Sequence, residues 1–214
     1  MNLPYHIEIV EKSLTDRFSP KALEELTLAN LAQDDLPGLL LHPERHFDND
    51  LIPQGLAYIQ AEHNRIVASA QAEDGGRSMR TAFGRLLHTA QDFYAHSNYV
   101  DLWLAQNGGL DATTSDQIDG VDPVLLASPA LRTWHFYLWR DGFYYIPVIR
   151  SLARRLYIAP NSHEANHLDD PSRGPKFAYA MKAAQDRTRQ EYDQAVAAIR
   201  AAGGVEAVVR FHGA

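Results

Sequence analysis

The chain has 214 residues, 45% hydrophobic and 22% charged, and its 20 Lys and Arg face 27 Asp and Glu for a formal charge of −7. That length buries a substantial core within one large domain, that composition excludes a disordered chain, and that acidity disfavours gripping long nucleic acid through its phosphates. The absence of cysteine excludes disulfides and thiolate metal sites, so any metal must be held by His, Asp or Glu.

In chain order, the opening MNLPYHIEIVEKSL spaces its apolar residues at helical intervals. It lacks the basic-then-apolar order of a secretory signal, so the expected location is the cytoplasm, or outside the cell by a route without a cleaved signal. Ser19 followed by Pro20 predicts an N-cap and a first-turn proline for a helix through LEELTLANL. DDLPGLLLHPERHFDNDLIP reads as a loop. Residues 54–74 are amphipathic, Gly75 and Gly76 interrupt them, and a long helix is predicted from about residue 77 past His96. NGGLDATTSDQIDGVDP reads as a second loop.

Ser128 and Pro129 predict another helix start, leading into LRTWHFYLWRDGFYYIPVIRSLARRLY with a kink at Pro147. IAPNSHEANHLDDPSRGP is a third loop. KFAYAMKAAQDRTRQEYDQAVAAIRAAGG is rich in helix formers and is expected to stop at its double glycine. No alternating strand pattern and no internal repeat is present, and no apolar run approaches the roughly 18 residues that span a bilayer. The expected architecture is all-α, one multi-helix domain over residues 1–214.

The stretch LHTAQDFYAHSN places His88, Asp92 and His96 at four-residue intervals. Each step drifts only about 40° around a helix, so the three side chains share one face. His88 and His96 lie roughly 12 Å apart along the axis, and each lies about 6 Å from Asp92. With metal bonds near 2 Å the two histidines cannot easily share one ion, but Asp92 can join each in turn, which suggests more than one metal. Gly84, one turn before His88, offers a place for close approach of another backbone or a ligand. Phe83, Leu86, Leu87, Phe93 and Tyr94 make the helix apolar elsewhere, so it should be buried, and a buried carboxylate needs a compensating cation. A metal meets that need. So does a metal-free network in which Asp92 pairs with protonated His88 or His96.

Further ligand candidates are His6, Asp34 or Asp35, His46, Asp48 and the cluster SHEANHLDDP. LHTAQDFYAHSNYVDLW, with YHIEIVEKSL, ANLAQDD, HFDN and SHEANHLD in that order, resembles the Het-C type, named for a heterokaryon-incompatibility protein, within the zinc-dependent phospholipase C and single-strand nuclease superfamily. The resemblance implies an all-helical fold with ligand-bearing loops around a central helix and a cluster of two or three zinc ions or other divalent cations. By that resemblance His6, Asp34, His46, His88, Asp92 and His96 are metal ligands, joined by His163 and Asp169, whose six-residue spacing matches the Het-C type. This chain lacks the His-x-x-x-Glu pair that phospholipase and nuclease members carry soon after the central helix.

In the mechanism this implies, Asp92 bridges metals, Asp34, His46 and His88 hold one ion, and His96, His163 and Asp169 hold another. Closely spaced dications make water a nucleophile near neutral pH, and Asp34 is placed to accept a proton, so Asp34 and Asp92 are the expected catalytic residues. The implied substrate is a phosphodiester, either a small molecule or a phospholipid headgroup. The rival expectation is a non-catalytic interaction protein for self/non-self recognition, with a structural metal or none. Trp134, Phe136, Tyr137, Trp139, Phe143, Tyr144 and Tyr145, followed by Arg150, Arg154 and Arg155, fit either peripheral membrane contact or ordinary core packing with a solvated basic face. His42, His63, His135, His167 and His212 read as surface or core histidines. Asp35 and Asp48 read as groups that orient a ligand, Asp170 as a helix cap, and Tyr94 and Asn98 as substrate contacts or as packing and turn residues.

Overall fold

The computed structural model describes residues 1–136 and 159–214. The chain forms α1 (Leu3–Leu14), α2 (Pro20–Leu31), a short α3 (Leu36–Leu41), α4 (Ile52–Ala70), α5 (Gly76–His96), α6 (Tyr99–Gln106), a single turn α7 (Pro123–Leu126), another single turn α8 (His163–Asn166) and the long α9 (Lys176–His212). Among the described residues there is no strand, only isolated bridges between Ser97 and Thr133 and between His135 and Ser162. The described residues share one hydrophobic core, and the all-α, single-domain expectation holds for them. None of their helices is long and apolar enough to cross a membrane.

The architecture is organised around α5, which α2, α4 and α9 flank while α1 packs on α2 and α9. Seventeen of its 21 residues are buried, so α5 is an axle rather than a surface helix. Close approach on one side depends on Gly84. A Cβ there would collide with the Leu26 carbonyl oxygen of α2 and lie 2.9 Å from the Ala29 methyl. Phe83, Phe18 and Phe211 interlock α5, the turn before α2 and the end of α9, with ring centroids 5.0 to 6.4 Å apart.

Capping behaves as the sequence predicts at Ser19, whose hydroxyl accepts from the Ala22 N–H, and at Asp170, which accepts from the Ser172 N–H. Two expectations fail. The first loop contains a helical turn, because Asp35 caps α3 by accepting from the Gly38 N–H at 2.6 Å. The Ser128-Pro129 pair does not open a helix, and residues 131–136 run extended instead. Asn98 accounts for this: its Oδ1 accepts from the Arg132 N–H at 2.7 Å and its Nδ2 donates to the Ala130 carbonyl, while the Trp134 N–H donates to the His96 carbonyl. The kink expected at Pro147, and the aromatic and basic run from Tyr137 to Arg155, lie outside the described residues. The helix expected to stop at the double glycine is interrupted at Gly204, with φ 73°, and resumes to His212 because VEAVVRFH returns apolar residues to the core.

Two stability predictions follow from this packing. Gly84→Ala must push α2 away from α5, and a loss of roughly 1–3 kcal/mol is expected on urea denaturation. Glu191 on α9 is buried and still holds its carboxyl below the ordinary value of 4.5: burial opposes the charge, but the hydrogen bond from His63 and the Arg187 guanidinium outweigh it. Its contribution is therefore complete above about pH 4.5 and lost as pH falls through the depressed native value. Glu191→Gln should flatten the acid limb of a stability-against-pH curve.

Candidate metal centre

The ligand face of α5 meets the turn Pro43–His46 on one side, α1 on another and the turn α8 at its C-terminal end. His88 and Asp92 are 0% and 1% exposed. Asp92 Oδ2 lies 2.9 Å from His46 Nδ1 and 3.1 Å from His88 Nε2, and those two nitrogens are 3.1 Å apart. Asp34 Oδ1 closes the group at 3.8 Å from His46 Nδ1 and 3.5 Å from His88 Nε2. Two imidazoles and two carboxylates thus aim one donor atom each at a common point.

The other oxygen of Asp92, Oδ1, accepts a hydrogen bond from the buried Met1 amino group and lies 3.2 Å from His6 Nε2. The Met1 nitrogen is 3.1 Å from Asp169 Oδ1 and 3.3 Å from His96 Nε2. Around His96 a second group converges: Nε2 lies 3.0 Å from Asp169 Oδ1 and 3.2 Å from His163 Nε2, with Asp48 Oδ1 3.6 Å from Nδ1. His167 stacks on His163 and brings its Nδ1 within 2.9 Å of Asp169 Oδ2. Asp92 and Asp169 each present their two oxygens to different groups, the arrangement of a bridging carboxylate.

Charge in this cluster is finely divided. Burial holds the His88 imidazole down at about 3, so it is neutral, the form that ligates metals. Burial and the Met1 ammonium oppose charging His96, but the Asp92, Asp169 and Asp48 carboxylates outweigh them and raise it to about 9. Burial likewise opposes the Met1 ammonium, and Asp169, Asp92 and Asp34 lift it to about 11. Burial works against the Asp92 and Asp169 carboxylates too, yet the Met1 ammonium and His96 drive both well below the ordinary range. Burial pushes Asp48 up to about 6 and raises Asp34, the latter reinforced by Asp92.

Backbone geometry aims the His46 turn. Phe47, Asn49 and Asp50 all have positive φ, at 54°, 62° and 56°. That conformation costs a non-glycine residue roughly 1–2 kcal/mol. Clamps onto the extended segment offset the cost: the Asn49 N–H donates to the Trp134 carbonyl, Asn49 Oδ1 accepts from the Phe136 N–H, and Asp50 Oδ1 accepts from the Thr133 N–H. The Phe47 ring fills the space a side chain at Gly55 would need.

Residues 5–111 match the family model of the VWA7 N-terminal domain. The chain belongs to that family. It is similar to von Willebrand factor A domain-containing protein 7 of Homo sapiens, with 42% identity over 81 residues, 38% of this chain and 9% of that protein. The proteins of the same name from Rattus norvegicus and Mus musculus each share 38% identity over 81 residues, with the same coverage. The matched part is thus less than a tenth of each relative's length. No solved structure matches the chain.

The family match overturns the resemblance to the Het-C type and the heterokaryon-incompatibility and phospholipase C-like labels that rested on it, and it lends hydrolase no support, so a hydrolytic reading has to rest on the geometry of the site alone. The signature LHTAQDFYAHSNYVDLW lies wholly inside the VWA7 N-terminal span. A His, Asp, His rack on a helix follows from helix periodicity and donor chemistry, so the rack alone does not identify a family.

All eight expected ligands, His6, Asp34, His46, His88, Asp92, His96, His163 and Asp169, surround this cluster. Sequence reading set His167 aside as an ordinary histidine, and the fold brings it beside Asp169. Its four-residue spacing from His163 was the available signal. The Met1 amine carries no signal in the letters at all. Asp35 caps a helix, the Tyr94 hydroxyl bonds the Gly120 carbonyl, and Asn98 builds a turn. His42 pairs with Glu44, His63 with Glu191 and His212 with Tyr192, away from the cluster. His135 lies 3.3 Å from Asp50.

The loop geometry makes a prediction at Asn49. Asn49→Gly keeps positive φ accessible but loses the acceptor, whereas Asn49→Val loses both. The valine variant should be the less stable by roughly 1 kcal/mol or more in urea denaturation.

Proposed function

We propose that this domain holds divalent cations, zinc or a chemically similar ion, at two neighbouring positions and uses them to hydrolyse phosphodiesters. Asp34, His46, His88 and Asp92 form the first position, and His163, joined either by Asp48 and His96 or by His167 and Asp169, forms the second. The observation that carries the reading is the spacing within the first group. Donors around a tetrahedral zinc at 2.0–2.1 Å are separated by roughly 3.3 Å. The five donor separations measured here, between 2.9 and 3.8 Å, bracket that value.

Residues behind the donors support the fit. His96 directs Nδ1 to the His46 carbonyl at 2.7 Å and His6 directs Nδ1 to Gln91 Oε1 at 2.7 Å, so each ring is oriented with its other nitrogen facing the carboxylates. His6 Nε2 is buried and makes no hydrogen bond despite lying 3.2 Å from Asp92 Oδ1. When bound, dications supply Lewis acidity, lowering the pKa of a water and offsetting charge on phosphoryl oxygens.

The chain's own groups do the rest. Asp34, its carboxyl raised by burial and Asp92, faces the cavity as a proton acceptor. The cavity, about 470 Å³, is lined by residues of the cluster and by Leu3, Leu36, Leu39 and Phe136, whose apolar side chains are available to the apolar part of an ester.

A second reading rests on the charge balance: the Met1 ammonium and protonated His96 by themselves offset the Asp92 and Asp169 carboxylates, giving an ionic network with a structural role. Elemental analysis separates the two. The proposal expects about two or more ions per chain, fewer in Asp92→Ala, and a Tm roughly 5–10 °C higher with metal at a hundredfold excess over its Kd. A chromogenic phosphodiester panel should then show turnover that His88→Ala abolishes. Metal-free protein whose Tm ignores zinc and chelator would establish the ionic network instead, and loaded but inert protein would establish a structural metal.

A further inference from the structure

Gln91 sits one residue before Asp92 on α5 and is completely buried, yet it contributes no donor to either cluster group. It ties three helices to one amide. Its Oε1 takes His6 Nδ1 of α1 at 2.7 Å and Asn30 Nδ2 of α2 at 3.1 Å, and its Nε2 donates to Thr188 Oγ1 of α9 at 3.1 Å. All four side chains are buried, so water does not compete for these bonds.

From this arrangement we infer that Gln91 is a positioning residue that fixes His6 in the tautomer protonated at Nδ1, leaving Nε2 as an acceptor beside the Asp92 carboxylate.

The geometry around Nε2 decides between the tautomers. With Oε1 facing His6, Nδ1 must be the donor, and Nε2 then brings a lone pair to within 3.2 Å of Asp92 Oδ1. Turning the Gln91 and Asn30 amides over would move the proton to Nε2. The Nε2–H would then be buried and aimed off Asp92 Oδ1, because the contact there lacks hydrogen-bond geometry. A buried N–H without an acceptor is the costlier arrangement. The Thr188 hydroxyl accepts from Gln91 Nε2 and anchors the far end of the amide, while the contacts at His6 decide its orientation.

Two acceptors 3.2 Å apart repel unless positive charge lies between or beside them. In the observed structure the Met1 ammonium, bonded to the same Asp92 oxygen, supplies that charge. On the cation reading proposed above, the same lone pair makes His6 a ready ligand. The tautomer itself requires no metal, so it is tested separately from that reading.

The experiment uses full-length, 15N-labelled, metal-free protein at alkaline pH, with His6 assigned by comparison with His6→Gln. Two-bond 1H–15N correlations should show His6 Nδ1 at a pyrrole-like shift and Nε2 at a pyridine-like shift. Gln91→Leu removes the acceptor and Thr188→Val releases the amide, and each should mix or reverse the two shifts. In zinc titrations both variants should weaken the position that contains Asp92 by about 10–100-fold while the other persists. A proton on Nε2 in the unsubstituted protein overturns the inference whatever the metal content, and so does an unchanged tautomer in folded Gln91→Leu. If no zinc binds to any form, the cation reading fails while the shifts still decide the tautomer.

Discussion

One buried carboxylate governs the structure. Asp92 lies in the middle of the most enclosed helix, 1% exposed, and an ionised group in that place is costly unless opposite charge and donors meet both of its oxygens. They do so from separate parts of the chain: the Met1 amine meets one oxygen, and His46 and His88 the other. The positions of α1, the Pro43–His46 turn and α5 are therefore fixed against one another by charge as much as by apolar burial. Packing alone places helices to within a side chain's tolerance, whereas donor atoms about 3 Å from a common carboxylate tolerate far less.

The rest of α5 serves this arrangement. Its helical period divides the circumference into faces with different neighbours. Gly84 admits the backbone of α2, Gln91 ties α1, α2 and α9 by hydrogen bonds, and His88, Asp92 and His96 face the cluster. A residue one position away from Asp92 points to a different partner, which is why Gln91 can orient His6 without entering the donor groups. The strained turn at residues 47–50 completes the geometry from outside the helix. Its three left-handed residues are tolerated because the extended segment 133–136 supplies the hydrogen-bond partners.

Much of this was legible in the letters because it obeys short-range periodicity. The rack on α5, its burial, the Ser19 cap and the close approach at Gly84 follow from spacing of three, four and seven residues and from the chemistry of individual side chains. What was not legible depended on partners distant in sequence. Ser128 and Pro129 read as a helix start, but Asn98, 30 residues earlier, takes the backbone of residues 130–132 into an extended path. His167 looked ordinary because Asp169 and the stacked His163 ring become its neighbours only after α8 docks against His96. The double glycine was read as a terminus, but a left-handed Gly204 simply redirects a chain whose next residues are again apolar. Family identity failed for a related reason: the rack expresses what a helix must do to gather imidazoles around a carboxylate, and that chemistry does not by itself name a family.

The span of the family match bears on how the cluster is assembled. Residues 5–111 contain Asp34, His46, His88 and Asp92, the complete first group, together with His6, Gln91 and His96. His163, His167 and Asp169 lie beyond it. The first group is thus built by α1 to α5 alone, with every donor carried by elements that pack directly on the central helix. The second depends on a late segment reaching the C-terminal end of α5, where the Leu168 N–H donates to the Ala95 carbonyl and the Asn2 N–H donates to the Asp169 carbonyl. Those two backbone bonds anchor the segment on both sides of Asp169 and turn its carboxylate toward His96. The two groups are consequently unequal. One is intrinsic to the helical core, and the other exists only while the loop from α8 to Asp169 is docked, so any change that loosens that loop acts on the second group first and reaches the first only through the Met1 amine that bonds both Asp92 and Asp169.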